Sequence, residues 1–269
     1  MPVDHYENFP VASWLLPRHF REPVTAIYHF ARSADDIADE GDMPAQQRLN
    51  QLDRYRSELN AIENGLTSED PLFRRLGAAV TAHNLPLPLL RDLLDAFTQD
   101  VTQTRYASFA ELMDYCRHSA NPVGRLLLRL YRAEAPQQLE WSDAICSSLQ
   151  LINHWQDIGI DRAKQRIYLP LEDLQRFGVS EAQIAAGTID ANWRALMRFQ
   201  VDRARALMHS GAPLGRSLPG RMGLELRLIV AGGLRILDKI EAVDYDVFRR
   251  RPVLQPLDWP PLLWRALTR

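Results

Sequence analysis

Apolar residues recur every three or four positions through most of this 269-residue chain, and no run alternates apolar and polar residues as a β-strand does. A period of 3.6 residues places apolar side chains on one face of a helix, and that face must be buried against another element. Since helices are the only element that the pattern supports, we expect an all-α fold, a single-domain bundle of helices.

Start and stop signals divide the chain into eight predicted helices. Asp70 is a typical N-cap, Ser108 and Glu111 have capping-box spacing, and Gly41 and Gly65 follow helical segments. The predicted helices are Pro23–Glu40, Ala45–Gly65, Asp70–Pro86, Pro86–Gln103, Ser108–Ala133, Ser142–Asp161, Ala191–His209 and Pro219–Phe248. No repeat or low-complexity linker separates them, so we expect one domain over 1–269 with a basic tail from about 249.

Composition excludes several classes of protein. A formal net charge of −2 gives no sign of nucleic-acid binding. Cys116 and Cys146 lie in no metal or redox spacing, which favours reduced thiols in a cytoplasmic protein. No apolar stretch reaches the roughly 18 residues of a membrane-spanning helix, and the first residues do not resemble a signal peptide. We therefore expect a cytoplasmic protein, soluble or peripheral on the inner face of the membrane.

The last 22 residues differ from the rest in charge. Residues 248–269 hold five arginines and one aspartate, a local charge of +4, together with Trp259 and Trp264. Such a segment suits an anionic membrane surface. A segment that packs on the bundle with its arginines in water has the same composition and is the commoner case.

A stripe of polar residues interrupts an otherwise apolar helix near the middle of the chain. Asn153, Asp157 and Asp161 are spaced four apart, so they lie above one another on one helix face. The residues around them are largely apolar, which predicts burial of the remaining faces. A buried carboxylate without a partner costs several kcal/mol, so we expect a positive charge to meet these aspartates.

A second acidic stripe lies in the first predicted helix, where Asp35 and Asp39 are again four apart. Like charges at this spacing destabilise an isolated helix by about 0.2–0.5 kcal/mol per pair, which bound cations would offset. Oxygen ligands without His or Cys favour Mg²⁺, and Mg²⁺ keeps coordination sites for phosphate oxygens. The two stripes therefore predict Mg²⁺ ions and a diphosphate bound between them.

Two other interpretations of the carboxylates are possible. A solvated acidic helix face with an ordinary cap explains Asp39 as well as a metal does, but explains Asp157 in its apolar run poorly. A carboxylate-bridged di-iron centre needs Glu-x-x-His pairs, and none of the seven histidines has a Glu three residues before it. The di-iron interpretation is therefore excluded.

Basic residues accompany both stripes. Arg32 precedes Asp35 by about one helical turn, and Lys164 and Arg166 follow Asp161 closely. The planar guanidinium of arginine binds two oxygens of a phosphate at once. We therefore expect Arg32, Lys164 and Arg166 to bind the substrate diphosphate.

At these residues the chain resembles the squalene/phytoene synthase family. Both Asp-x-x-x-Asp motifs are present, the second preceded by Asn153 and followed by "RIYLP" at Arg166 to Pro170. The chain also has the N-terminal His-x-x-x-Phe element, as "HYENF", and the mid-chain element "DYCRHSANPVG". The resemblance covers nearly the whole chain. It implies an isoprenoid-synthase-type helical bundle around a central cavity and a Mg²⁺-dependent enzyme that acts on prenyl diphosphates.

Within the family, "HYENFPVASWLLP" and "INHWQDIGID" are most similar to the bacterial hydroxysqualene synthases of hopanoid biosynthesis. The chain departs from the commoner family pattern at Gln156, where Arg is usual, and at Ile160, where Glu is usual. These changes favour a single-substrate step on presqualene diphosphate over the condensation of two farnesyl diphosphates.

The resemblance implies roles for individual residues. Asp35, Asp39, Asp157 and Asp161 would bind Mg²⁺ with help from Asn153, while Tyr28, Tyr115 and Tyr168 would stabilise a carbocation. His5 and Asn8 would lie at the diphosphate and position the attacking water. Hydroxysqualene and diphosphate would be the products.

Two alternatives stay open at this point. One is a presqualene diphosphate, dehydrosqualene or phytoene synthase that condenses two prenyl diphosphates. The other is a silent prenyl-lipid-binding scaffold for pathway enzymes. Glycines of the last predicted helix, at 223, 232 and 233, indicate either a cavity wall or close helix contact.

Overall fold

The structure is a computed structural model and describes residues 16–268. Fourteen α-helices lie within this range, and none of these residues belongs to a β-strand. Arg105 and Ile167 form an isolated parallel bridge. The all-α class predicted from the helical period is confirmed. The helices group into two compact units. That residues 1–269 form a single domain stays a prediction.

Unit 1 comprises 16–103 and 117–139 of the described residues. Its helices are α1 (Arg18–Asp39), α2 (Ala45–Glu63), α3 (Pro71–His83), α4 (Leu87–Thr102) and α6 (Asn121–Leu130). The predicted N-cap of α3 is confirmed, since the Asp70 carboxylate accepts a hydrogen bond from the Leu72 amide at 2.8 Å.

The core of unit 1 explains why α1 is amphipathic. Ile27, Phe30, Ala34 and Ala38 are buried at three- and four-residue intervals and pack with apolar residues of α2, α3 and α4. Burial of a side chain such as Phe30 contributes about 1.5–3 kcal/mol. The polar residues of α1 therefore lie on its other face.

The start of α1 corrects a prediction. Proline is common in the first turn of a helix, so the sequence predicted a start at Pro23, but the helix begins at Arg18 and contains Pro23. Pro23 removes one backbone hydrogen bond of the helix interior. Tertiary packing compensates, because Phe20 lies edge-on to Tyr131 with ring centroids 4.6 Å apart.

The predicted helix Ser108–Ala133 is two helices, α5 (Phe109–Ser119) and α6, which meet at Ala120. Pro122 lacks an amide hydrogen and its ring clashes with a preceding carbonyl, which disfavours a helix interior, and here it lies in the first turn of α6. The Ser108 cap is confirmed, since its hydroxyl accepts a hydrogen bond from the Glu111 amide at 3.2 Å. Glu111 in turn accepts one from the Ala107 amide at 2.5 Å.

Unit 2 comprises 104–116 and 140–268 of the described residues. It holds most of α5 and α7 (Pro136–Gln156). The helices that follow are α8 (Ile158–Ala163), α9 (Leu171–Phe177), α10 (Glu181–Ala186), α11 (Ala191–Gly211), α12 (Leu214–Ser217), α13 (Gly220–Ala242) and α14 (Trp259–Thr268). The sequence did not predict α9, α10, α12 or α14, since each is too short to establish a helical period.

Helix α13 packs closely on its neighbours. A Cβ atom added at Gly233 would lie 2.8 Å from Met208 Cε, and one at Gly223 would lie 2.3 Å from the Leu218 carbonyl oxygen. Of the two interpretations of these glycines, the structure favours close contact over a cavity wall at both positions. The sequence predicted that this helix continues to Phe248, but it ends at Ala242. Asp244 and Tyr245, just beyond its end, adopt positive φ angles that a helix does not allow.

The segment after α13 folds back and contacts α11 and α13 of unit 2. The Trp193 indole donates a hydrogen bond to the Tyr245 carbonyl at 3.0 Å, and the Lys239 ammonium donates one to the Val253 carbonyl at 2.9 Å. A short 3₁₀ turn, Pro256–Asp258, leads into α14, which packs on α13. Within 16–268, no helix has the length and apolar content needed to cross a membrane.

Candidate active site

The first acidic pair lies in the last two turns of α1. Asp35 and Asp39 are half-buried on its polar face. Arg32, predicted to bind diphosphate, forms ion pairs on its own helix with Asp35 at 3.4 Å, Asp36 at 2.6 Å and Glu40 at 3.4 Å. The structure therefore brings Arg32 to the first acidic stripe, as predicted, and uses it to neutralise carboxylates there.

Arg48 of α2 fixes the end of α1. Its guanidinium donates hydrogen bonds to the carbonyls of Ile37 at 2.8 Å, Gly41 at 2.6 Å and Met43 at 2.8 Å. These bonds satisfy carbonyl groups that a helix end leaves without partners. Arg48 thus holds the backbone on either side of Asp39, a role that no local sequence pattern indicates.

The second acidic stripe lies at the junction of α7 and α8. The predicted continuous helix is interrupted at Asp157, whose φ of −103° and ψ of 11° depart from helical values. The ladder nevertheless continues, because the Asp157 amide bonds the Asn153 carbonyl at 2.8 Å and the Asp161 amide bonds the Asp157 carbonyl at 2.9 Å. Asn153, Asp157 and Asp161 are all half-buried and keep the predicted four-residue spacing.

A cation from the C-terminal segment already binds this stripe. Arg251 forms an ion pair with Asp157 through two nitrogens, one of them at 3.2 Å from Oδ2. The expectation that a positive charge would meet Asp157 is therefore confirmed. Its source was missed, because the arginines of the tail were assigned to water or to a membrane surface.

Two further contacts hold the C-terminal segment beside Asp157. The Gln156 amide is 4% exposed and donates a short hydrogen bond to the Pro252 carbonyl. Gly159 permits close approach of the backbone at Phe248, since an added Cβ would lie 3.1 Å from the Phe248 carbonyl oxygen. Gln156 therefore anchors the segment that carries Arg251, a role that its family position did not indicate.

The basic residues after Asp161 differ in their surroundings. Lys164 is exposed at the end of α8, and Arg166 is half-buried. The Arg166 amide donates a hydrogen bond to the Asp161 carbonyl at 2.9 Å, so the backbone of Arg166 lies next to the end of the second acidic stripe. The charge of Arg166 also reaches His154 and contributes to lowering the pKa of that histidine.

Extended backbone places Tyr168 in an aromatic cluster. The Ile167 amide bonds the Thr104 carbonyl at 3.0 Å, and the Leu171 amide bonds the Tyr106 carbonyl at 2.9 Å. This pairing stacks Tyr168 on Tyr106, with centroids 5.6 Å apart and an interplanar angle of 21°. Tyr168 also stacks on His154, with centroids 3.7 Å apart and an interplanar angle of 15°.

Tyr115 completes the aromatic cluster, which consists of Tyr106, Tyr115, His154 and Tyr168. Its ring lies 5.4 Å from Tyr106, 6.0 Å from His154 and 5.9 Å from Tyr168. Two of the three predicted tyrosines are therefore brought together. Tyr106 and His154 were missed, although His154 directly follows Asn153 in the motif.

Burial keeps His154 neutral. Desolvation, together with the charge of Arg166, lowers the pKa of His154 to about 3. The ring nitrogen lies 3.4 Å from the Gln150 side-chain amide. His154 is therefore uncharged at pH 7, and the faces of aromatic rings such as those of the cluster attract cations.

The remaining predicted residues belong to unit 1 or fall outside the described residues. Unit 1 carries Tyr28, which is half-buried on α1 with its ring 5.5 Å from that of His29, and the residues of the first stripe. Unit 2 carries the second stripe and the aromatic cluster. His5 and Asn8 lie outside the described residues, so their predicted roles stay predictions.

The donor set fits Mg²⁺ better than a metal held by protein alone. Within residues 16–268 no group of three or more His, Cys, Asp or Glu side chains lies together as a metal cage would require. Mg²⁺ takes one or two carboxylates and fills its shell with water and substrate phosphate oxygens, so a pair such as Asp157 and Asp161 suffices. The ion pair with the Arg251 guanidinium shows that the Asp157 carboxylate can bind a cation.

Comparison with known proteins agrees with these features. The family model for squalene/phytoene synthases matches residues 3–258. The chain belongs to the squalene/phytoene synthase family. The predicted resemblance is thereby confirmed.

Several family members are similar over most of their length. The hydroxysqualene synthase of Rhodopseudomonas palustris is 35% identical over 94% of this chain and 85% of its own. The phytoene synthase of Arthrospira platensis is 33% identical over 93% of this chain and 84% of its own. The crystal structure of a squalene synthase from Alicyclobacillus acidocaldarius is 38% identical, covers 90% of both chains and superposes with a TM-score of 0.83.

Family membership establishes the general activity. The chain is an enzyme of isoprenoid synthesis, and its class acts on prenyl diphosphates and generally depends on a divalent metal. The predicted isoprenoid-synthase-type helical fold is confirmed by the likeness to the solved squalene synthase. Family membership also argues against the silent-scaffold alternative.

Proposed function

We propose that this enzyme converts presqualene diphosphate into hydroxysqualene and diphosphate, a step in squalene and hopanoid biosynthesis. The observation that carries the proposal is the arrangement of unit 2. There Asp157, which binds the Arg251 guanidinium, and Asp161 follow α7, and an aromatic cluster includes His154 of the same stretch of chain. Ionisation of an allylic or cyclopropylcarbinyl diphosphate requires two parts: a metal site that stabilises the departing diphosphate and a surface that stabilises the carbocation.

The proposed metal ligands are Asp35, Asp39, Asp157 and Asp161, with Asn153 assisting. Bound Mg²⁺ would neutralise the charge that develops on the leaving diphosphate. Arg32, Lys164 and Arg166 are proposed to bind diphosphate oxygens. Among them Arg166 is half-buried beside the aromatic cluster, where a charge–charge interaction is screened less than at the exposed Lys164.

The proposed chemistry begins with heterolysis. The C–O bond to diphosphate breaks, and its electron pair leaves with the diphosphate. The resulting cyclopropylcarbinyl cation rearranges, and water attacks the rearranged cation, so that a C–O bond forms and one proton is released to diphosphate or solvent. The stacked rings of Tyr115 and Tyr168 are proposed to stabilise the cation, as is Tyr28. His5 and Asn8 are proposed to position the diphosphate and the water.

The substitution at Gln156 supports a single-substrate reaction. In this protein the side chain is buried and its amide is used to anchor Pro252, so this position contributes no positive charge to the second stripe. Ile160, at the other departure from the family pattern, is 49% exposed and contributes no negative charge. The second stripe thus has two fewer charged side chains than the commoner family pattern, which we associate with enzymes that bind two prenyl diphosphates.

A second candidate function is the condensation of two prenyl diphosphates, such as farnesyl diphosphate, to presqualene diphosphate, dehydrosqualene or phytoene. The similarity to the phytoene synthase of Arthrospira platensis favours it. Both candidates use the same acidic pairs, so they differ in substrate rather than in metal dependence.

We also propose that the enzyme works in the cytoplasm in contact with the inner face of the membrane, close to the enzymes of its pathway. Presqualene diphosphate is mostly hydrocarbon and therefore partitions into a bilayer.

A thermal-shift experiment tests the diphosphate and metal site. Inorganic diphosphate with Mg²⁺ is expected to raise the melting temperature, because a ligand that binds only the folded state stabilises it. Diphosphate with EDTA should give no such rise, and Asp157→Asn should abolish it. An equal rise in the Asp157→Asn variant would contradict the assignment of Asp157, while Asp53→Asn, on α2, serves as the control that keeps the response.

A further inference from the structure

Helix α14 exposes an unusual amount of apolar surface. Eight large hydrophobic side chains are exposed within residues 16–268, and five of them fall between 257 and 267, so the exposure is concentrated there. The five are Leu257 at 86%, Trp264 at 70%, Leu267 at 64%, Leu263 at 44% and Trp259 at 44%. Contiguous apolar surface of this kind marks an interaction site.

The exposed side chains form a second apolar face on a helix that already has one. Leu262 and Ala266, four residues apart, are buried where α14 packs on α13. Leu263 and Leu267, also four apart, share a face with Trp264 that turns away from the buried pair. A helix that is apolar on both sides is expected to be covered on both sides.

The helix is fixed in place and is not a loose tail. The Asp258 carboxylate, at the start of α14, is buried and pairs with Arg235 at 2.8 Å and Lys239 at 2.6 Å, both on α13. It also accepts a hydrogen bond from the Gln255 amide at 2.7 Å. The apolar face is therefore presented in a defined orientation.

The charged side chains that α14 itself carries have one sign. Arg265 is exposed, and residues 259–269 contain no carboxylate side chain. Asp258 is used internally, as described above. A partner that covers the face should therefore be apolar and anionic.

We propose that α14, together with Leu257, docks on an anionic lipid bilayer and lies in its interface with Trp259, Leu263, Trp264 and Leu267 among the acyl chains. Helices of this kind have aromatic and aliphatic residues on the buried side and arginines at the headgroups. A second copy of the chain fits less well, because it would place like-charged arginines against each other without a carboxylate to pair them. The inference deepens the membrane contact proposed above by assigning the surface that makes it.

Vesicle flotation tests the assignment without any substrate. Wild-type protein is expected to float with phosphatidylcholine vesicles that contain phosphatidylglycerol, to float much less with phosphatidylcholine alone, and to be released by high salt. The double variant Trp264→Ser/Leu267→Ser should lose about tenfold or more in vesicle affinity. Both side chains are exposed, so its melting temperature should stay close to that of the wild type.

A matched control and a second measurement keep the outcomes distinct. Leu66→Ser removes an equally exposed leucine from unit 1 and should leave flotation unchanged. No flotation of the wild type, or equal flotation of the double variant, would overturn the proposal. A dimer in sedimentation velocity that the double variant abolishes, without vesicle binding, would instead assign the face to a second copy. Turnover of detergent-dispersed presqualene diphosphate should be equal in the wild type and the double variant. Flotation needs no substrate, so a failure of the proposed reaction and a failure of the proposed membrane contact are measured in separate experiments.

Discussion

Arg251 of the C-terminal segment forms a two-nitrogen ion pair with Asp157 of the second acidic motif. The partners are 94 residues apart in the chain, and the pair lies beside the hydrogen bond from Gln156 to Pro252. A carboxylate proposed to bind Mg²⁺ thus holds an internal cation. Metal binding at Asp157 must displace this guanidinium or share the carboxylate with it.

Removal of Arg251 is expected to strengthen metal binding in the absence of diphosphate. An ion pair with partial exposure is worth about 0.2–1 kcal/mol, so Arg251→Ala should lower the Kd for Mn²⁺ by a factor of about 1.4 to 5. Electron paramagnetic resonance of free Mn²⁺ measures this affinity directly. Arg249→Ala is the control, because Arg249 pairs with Asp246 instead. Unchanged or weaker Mn²⁺ binding in Arg251→Ala would show that the guanidinium does not compete with the metal.

Loss of the Gln156 side chain is expected to loosen the segment that carries Arg251. Gln156→Ala leaves the buried Pro252 carbonyl without its donor, at a cost of about 1–3 kcal/mol, or about 2–6 °C in Tm. Trypsin should then cleave after Arg249 and Arg250 faster than in the wild type. The exposed Gln175→Ala should change neither quantity. Wild-type cleavage rates in Gln156→Ala would mean that the segment is held by other contacts.

Stability should fall in mild acid because of His154. Its pKa in the folded protein is about 3, below the usual value of 6.5, since burial and Arg166 disfavour the charged ring. Between these values the unfolded chain binds a proton that the folded chain does not, so stability is lost as the pH falls below 6.5. The group alone should cost about 2 kcal/mol between pH 7.5 and pH 5.

Urea unfolding at the two pH values checks this prediction. His154→Phe keeps an aromatic ring against Tyr168 and removes the titration, so its stability should change less with pH than that of the wild type. Tyr115, Tyr168 and Gln150 surround the ring. The exposed His209→Gln should retain the wild-type pH dependence. An identical pH dependence in His154→Phe would contradict the assignment.

The ring of Tyr168, rather than its hydroxyl, is expected to matter for turnover. Tyr168→Phe preserves the stacking on His154 and Tyr106 and should keep kcat within a few-fold of the wild type. Tyr168→Leu removes the ring face and should lower kcat by about 30-fold, the equivalent of about 2 kcal/mol of cation–π stabilisation. Equal kcat in both variants would exclude a role for the ring, and a large loss in Tyr168→Phe would assign the role to the hydroxyl.

The sequence predicted the helical class and the acidic motifs because both depend on local spacing. The four-residue spacing of Asn153, Asp157 and Asp161 survives in the backbone hydrogen bonds even where the helix is interrupted. The Asp70 cap and the ion pair of Arg32 with Asp36 were predictable for the same reason, since each joins residues within four positions of each other at or on one helix.

Long-range contacts could not be predicted in this way. Neither Arg251 at Asp157 nor Tyr106 beside Tyr168 has a local pattern, since each depends on how distant segments return to α7 and α8. The start of α1 at Arg18 likewise depends on tertiary packing of Phe20 that overrides the preference of Pro23 for the first turn. Side-chain roles that arise from tertiary structure therefore required the structure.

The most direct test of the proposed reaction is a product assay on the full chain with Mg²⁺ and without NADPH. Presqualene diphosphate and farnesyl diphosphate would be supplied separately and the products identified by mass spectrometry. Hydroxysqualene from presqualene diphosphate, with farnesyl diphosphate left unchanged, is the result that we predict. Consumption of farnesyl diphosphate, or no product from presqualene diphosphate, would contradict it.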